Sequence, residues 1–221
     1  MLSGTAPAER RRCSSDDEQR HHRRRPPVTP TADPGSEAPH QLTAEPGYAA
    51  SNVTTNMDTF DDLLRANSEY QETFDLGGIE PKAAKGLAVV TCIDSRIAPL
   101  PMLGLEPGDA KIMRNAGGRV TQDVLRSLTL AVHLLGVNRV AVIHHTNCKM
   151  ASATDEQIRA DLATRTGRDT GTFEPLALPD PALGLDADLL RIRSYEFLPS
   201  DLECAGFVYD VHTGVLRLIE S

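Results

Sequence analysis

The sequence predicts an α/β fold: a mostly parallel central β-sheet flanked by helices, with a C-terminal antiparallel hairpin. Three observations predict it. Residues 87–92 and 139–144 are short, apolar and β-branched, the pattern of strands buried on both faces. Between them Val124, Leu125, Leu128, Ala131, Val132 and Leu135 recur at helical spacing. Near the end, residues 206–211 and 215–219 flank His212-Thr213-Gly214, a hairpin with glycine in its turn. Strands alternating with helices make βαβ units, hence parallel pairing with helices on both faces.

The elements follow in order. Phe60, Leu63, Leu64, Tyr70 and Phe74 predict an amphipathic helix over 57–75, stopped by Gly77-Gly78, with an apolar stripe that serves core or interface. After the first strand at 87–92, Gly108-Asp109 marks a turn and 110–114 a second strand. Thr121 opens the central helix and Gly136 ends it. The third strand, 139–144, precedes a helix over 153–163, a Gly-, Pro- and Thr-rich loop over 165–185, and a helix over 186–196.

The first fifty residues differ from the rest. They hold seven of the fifteen prolines and, of Leu, Ile, Val and Phe, only Leu2, Val28 and Leu42. Such a stretch cannot bury enough apolar area to offset its ordering entropy, so residues 1–55 are expected to be a disordered tail and 56–221 the folded domain. Seven arginines balance seven acids there, which leaves the net charge of −8 on the remainder. That sign argues against nucleic acid as a partner. No apolar run reaches the roughly 18 residues of a membrane span, so no membrane partner is expected. Four sparse cysteines, Cys13, Cys92, Cys148 and Cys204, show no disulfide framework; a reducing, cytoplasmic setting follows, where such residues bind metal or do chemistry.

Cys92 ends the first buried strand, and His145 and Cys148 lie just past the end of the third. Ligands of an open α/β sheet gather outside the carboxyl ends of its strands. Two thiolates and an imidazole are a sound zinc set, and three protein ligands leave a fourth position open. Asp94 and Arg96 follow Cys92 at alternate positions, which share a face in extended chain. Arg96 can grip the Asp94 carboxylate through two hydrogen bonds and hold it ionised beside the metal. Gly117 and Gly118 read either as a simple turn or as backbone on the substrate side, where glycine lets a ligand approach the chain closely. His144 precedes the ligand His145 but points the other way by strand alternation. Asn115 reads as a turn or hydrogen-bonding residue.

These residues resemble the β-class carbonic anhydrases, in their short prokaryotic branch. Cys92-Ile93-Asp94-Ser95-Arg96 matches the family's Cys-x-Asp-x-Arg motif, His145-Thr146-Asn147-Cys148 its His-x-x-Cys motif, and Arg114-Asn115-Ala116-Gly117-Gly118 its middle segment; Gly206-Phe207-Val208-Tyr209-Asp210 resembles its C-terminal strand. The resemblance covers roughly residues 57–221. It implies one Zn2+ per chain, ligated by Cys92, His145 and Cys148, and reversible hydration of CO2 to bicarbonate by hydroxide held on zinc. It also implies that Asp94 orients that hydroxide or, at lower pH, swings onto the metal, a movement that Arg96 opposes. A homodimer or higher homo-oligomer, embraced by the N-terminal helix, is implied as well. The same scaffold resembles hydrolases of carbon disulfide or carbonyl sulfide, and a non-catalytic zinc or redox-sensing module is a third reading. One departure from the pattern is Lys149, where the family has glycine; a positive φ there would strain a lysine.

Overall fold

The structure is a computed structural model that describes residues 60–219. The tail expected at 1–55 and the start of the first helix lie outside those residues. Helix α1 (Asp61–Gln71) is followed by β1 (Leu87–Cys92), the short α2 (Pro99–Met102), β2 (Ala110–Asn115), α3 (Gln122–Leu134), β3 (Arg139–His145), α4 (Asp155–Thr166), α5 (Pro181–Arg193), β4 (Glu203–Tyr209) and β5 (Leu216–Ile219).

The five strands form one sheet in the order β2-β1-β3-β4-β5. All pairs are parallel except β4–β5. Right-handed crossovers then decide where the helices go. The steps from β2 to β3 and from β3 to β4 run the same way across the sheet and deliver α3 and α5 to one face. Ala88, Val90, Val140 and Val142 pack there against Val124, Leu125 and Leu128 of α3 and Leu185, Leu189 and Ile192 of α5. The step from β1 to β2 runs the other way and carries 93–109, with α2, toward the opposite side, where Met102 packs with Cys92, Cys148 and Tyr209. Helices thus flank the sheet as expected, but unevenly. Val89, Val90, Val142 and Ile143 are fully buried. Full burial of such side chains contributes roughly 1.5–3 kcal/mol each, so β1 and β3 are the fixed spine from which the site hangs.

Local chemistry sets the helix ends. The Thr121 hydroxyl caps α3 by accepting from the Val124 N–H at 3.4 Å. Thr154 and Gln157 form a reciprocal capping box on α4, and Gly167 ends that helix in the left-handed conformation. Three expectations shift. The helix expected over 57–75 stops at Gln71, because the Thr73 hydroxyl donates to the Tyr70 carbonyl and the chain turns there. None of its residues is buried, so its stripe of Leu63, Leu64 and Tyr70 is not core. The loop expected over 165–185 and the helix over 186–196 are misplaced: α5 begins at Pro181, with the Asp180 carboxylate accepting from the N–H groups of Ala182 and Leu183. Asp followed by Pro is a strong helix start that sat inside a loop-like composition.

Candidate metal centre

The Sγ atoms of Cys92 and Cys148 and a ring nitrogen of His145 lie within 4.8 Å of one another, and all three residues are buried. The fold produces this directly. Cys92 is the last residue of β1 and His145 the last of β3, neighbouring parallel strands. Cys148 returns after a tight turn in which Asn147 takes φ 53°, a left-handed conformation that Asn tolerates. Positive φ therefore falls on Asn147 and not on Lys149, which is exposed in a 3-10 turn, Lys149–Ala151. The strain conditionally expected at Lys149 is absent.

His145 is prepared for a metal. Its Nδ1 lies 2.9 Å from the Thr146 carbonyl oxygen, an acceptor, so Nδ1 carries the proton and Nε2 carries the lone pair. That Nε2 is buried without any hydrogen-bond partner, a state that costs free energy unless something fills it. Burial also pushes the His145 pKa down, toward the neutral ring a metal needs. Burial pushes the Cys148 thiol up, and Cys92 beside it acts in the same direction; a divalent cation is the charge that would reverse both effects. Two thiols and one neutral imidazole with an orphaned ring nitrogen fit zinc.

Asp94 stands beside this set, its Oδ2 3.9 Å from Nε2 of His145. Arg96 donates to it three times, from Nε to Oδ1 at 2.9 Å, from Nη2 to Oδ2 at 2.7 Å, and from its backbone N–H to Oδ1 at 2.9 Å. These bonds hold the carboxyl far below the ordinary carboxylate range. Nη2 of Arg96 also donates to the Asn147 carbonyl at 3.1 Å, which ties the segment after β1 to the segment after β3.

The middle segment acts through backbone. Arg114 donates from Nε to the Cys92 carbonyl at 3.0 Å and from Nη2 to the Asp94 carbonyl at 2.7 Å, a role that sequence reasoning left unassigned. Asn115 exchanges two bonds of 2.7 Å with the backbone of Arg119 and closes the intervening turn, as expected. Gly117 and Gly118 are buried in that turn with φ 80° and 67°. A Cβ on Gly118 would meet Cys92 N and Thr91 C at 3.0 Å, so the close approach it permits is to β1 itself. His144 points away, as strand alternation requires, with Nε2 3.2 Å from Oδ2 of Asp188. Sequence reasoning missed Asp188 and its partner Arg119. The one available signal was an acid interrupting the stripe Leu185, Leu189, Ile192 on α5.

Comparison with known proteins agrees with this geometry. The family model described as carbonic anhydrase matches residues 87–168. β-Carbonic anhydrase 1 of Mycobacterium tuberculosis (strain ATCC 25618 / H37Rv) is 36% identical over 161 residues, covering 73% of this chain and 98% of that protein. A carbon disulfide hydrolase of Acidianus sp. (strain A1-3) is 30% identical over 155 residues, covering 59% of this chain and 76% of that protein. The crystal structure of the carbonic anhydrase from Streptococcus mutans superimposes with a TM-score of 0.70 at 35% identity, covering 73% of this chain and 97% of that one. With its paired motifs on neighbouring strand ends, and matching the M. tuberculosis and S. mutans carbonic anhydrases along nearly their whole length, the chain belongs to the β-carbonic anhydrase family.

Proposed function

We propose that this chain reversibly hydrates CO2 to bicarbonate and a proton, with one zinc ion per chain held by Cys92, His145 and Cys148 and with Asp94 and Arg96 as the working pair. The observation that carries the reading is the buried, partnerless Nε2 of His145, facing two thiols with an ionised carboxylate 3.9 Å away. Bound zinc supplies the acidity that makes hydroxide available near neutral pH.

The rest falls to the chain. Three donors leave one position for solvent. Asp94, acceptor-only when ionised, would accept a hydrogen bond from solvent beside Cys92, His145 and Cys148 and so orient it toward CO2. Arg96 keeps both Asp94 oxygens engaged and so opposes direct ligation by the carboxylate. Ile97, Met102 and Met150 supply an apolar wall beside Cys92 and Cys148, suited to a nonpolar gas. The same reading takes the protein as a homodimer or higher homo-oligomer of the cytoplasm. Its support is the exposed apolar side chains on and beside α1, with Phe60, Leu63 and Leu64 each at least 60% exposed. Among the described residues no helix is long and apolar enough to cross a membrane.

The relatives that hydrolyse carbon disulfide keep a second reading open. Stopped-flow CO2 hydration, run beside sulfide release from carbon disulfide and carbonyl sulfide, separates the two. Hydration without sulfide release is expected; sulfide release without hydration would reassign the substrate.

A further inference from the structure

Asp188 on α5 is the one buried carboxylate among the described residues, 1% exposed, and it lies outside the metal centre. Its Oδ1 accepts from the Val120 N–H at 3.1 Å, and its Oδ2 accepts from Arg119 Nε at 2.7 Å. Oδ2 also faces His144 Nε2 at 3.2 Å, which as the donor carries the ring proton there. Arg119 passes the connection on, donating from Nη1 to the carbonyls of Leu176 and Ala177 at 3.1 and 3.4 Å. One carboxylate thus joins α5, β3, the turn after β2 and the chain at 176–177.

Two of those attachments adjoin metal-site residues. Arg119 follows Gly118, which lies so close to β1 that an added Cβ would meet Cys92 N and Thr91 C at 3.0 Å. His144 directly precedes His145 on β3. Burial would raise the Asp188 pKa, but the bonds from His144, Arg119 and Val120 and the charge of Arg119 outweigh it, and the carboxyl lies below its ordinary range. The group is therefore an anion inside an apolar helix face. Buried ion pairs of this kind are seldom the most stable choice, since apolar replacements of similar volume often fold as well or better. Leu176 adopts φ 57° while its carbonyl accepts from Arg119, a conformation that persists only where the surroundings impose it. Stability alone does not account for such an arrangement.

We propose that Asp188 is a positioning residue for the metal centre, locking the His144 end of β3 to the Gly117-Gly118 turn and so fixing the separation between Cys92 and the His145–Cys148 pair. The inference rests on the zinc reading. The β1–β3 ladder holds the strands themselves; loss of the lock frees the His144 side chain and the turn behind Cys92, which loosens the ligand geometry at the strand ends without removing a ligand.

The test compares the full chain with Asp188→Asn and with the double variant Arg119→Met/Asp188→Leu, which removes both charges and keeps apolar volume. Zinc affinity is measured by competition with a chelator, and the cobalt(II)-substituted proteins are compared by their thiolate-to-metal absorption. Expected are folded variants with zinc affinity weakened about 10- to 100-fold, the usual effect of losing an outer-shell partner. An altered cobalt spectrum is expected too, and the double variant should still unfold cooperatively, at a midpoint lowered because the Val120 N–H and His144 Nε2 lose their acceptor. Folded variants with parental affinity and spectrum would overturn the positioning role alone. Failure of both variants to fold would assign Asp188 to stability and overturn it as well. A parent chain that binds neither metal would remove the zinc reading and this inference together.

Discussion

Arg96 clamps Asp94 through both carboxylate oxygens, and the same guanidinium reaches the carbonyl of Asn147. The acid is thereby fixed relative to both segments that carry the Cys92, His145 and Cys148 cluster. Asp94→Ala should spare folding and zinc content and lower CO2 hydration by about 10²-fold or more, the scale of a positioned acid–base group. Stopped-flow rates with zinc analysis check it. Turnover unchanged in that variant would take Asp94 out of the chemistry.

Gly118 is the least replaceable residue of the middle segment. Its φ of 67° disfavours any side chain, and an added Cβ would press on the backbone of Thr91 and Cys92. Gly118→Ala is expected to cost about 1–3 kcal/mol of stability and to weaken zinc binding, since Cys92 must shift. Urea unfolding with the chelator competition measures both. Gly104, with positive φ but nothing within 4 Å of an added Cβ, is the control and should show only the backbone effect.

Lys149 makes an opposite prediction from the family pattern. Because its φ is not positive, Lys149→Gly relieves no strain and should lower stability by about 0.5–1 kcal/mol through the extra freedom of the unfolded chain. A rise in melting temperature would mean that the lysine is strained after all.

The strands and the clustering of Cys92, His145 and Cys148 were legible in the sequence because both rest on local signals. The apolar runs at β1 and β3 announce burial, and each places its reactive residue at a strand end. Less local features were not legible. Asp188 gains its role from Arg119 and His144, 69 and 44 residues away, and spacing carries no trace of such pairing. The start of α5 was hidden because Asp180-Pro181 sits among residues of loop composition. The α1 stripe has the period of a core helix, yet period alone does not tell a face covered by its own chain from one left exposed.

Acid should destabilise the metal-free protein through His145. Its folded pKa lies below the ordinary 6.5, so the unfolded chain takes up a proton there that the native chain refuses. Stability is then complete above about pH 6.5 and falls as pH drops below it. Urea midpoints of chelator-treated protein should rise between pH 5 and 7, and His145→Gln should flatten that rise. An equal slope in the variant would assign the effect to other groups.

X-ray absorption at the zinc edge, on reduced protein purified without added metal, tests the central claim most directly. The account predicts one zinc per chain with two sulfur ligands and at least one imidazole nitrogen, and loss of one sulfur in Cys148→Ser. Protein without stoichiometric zinc, or zinc in a shell without sulfur, would contradict it.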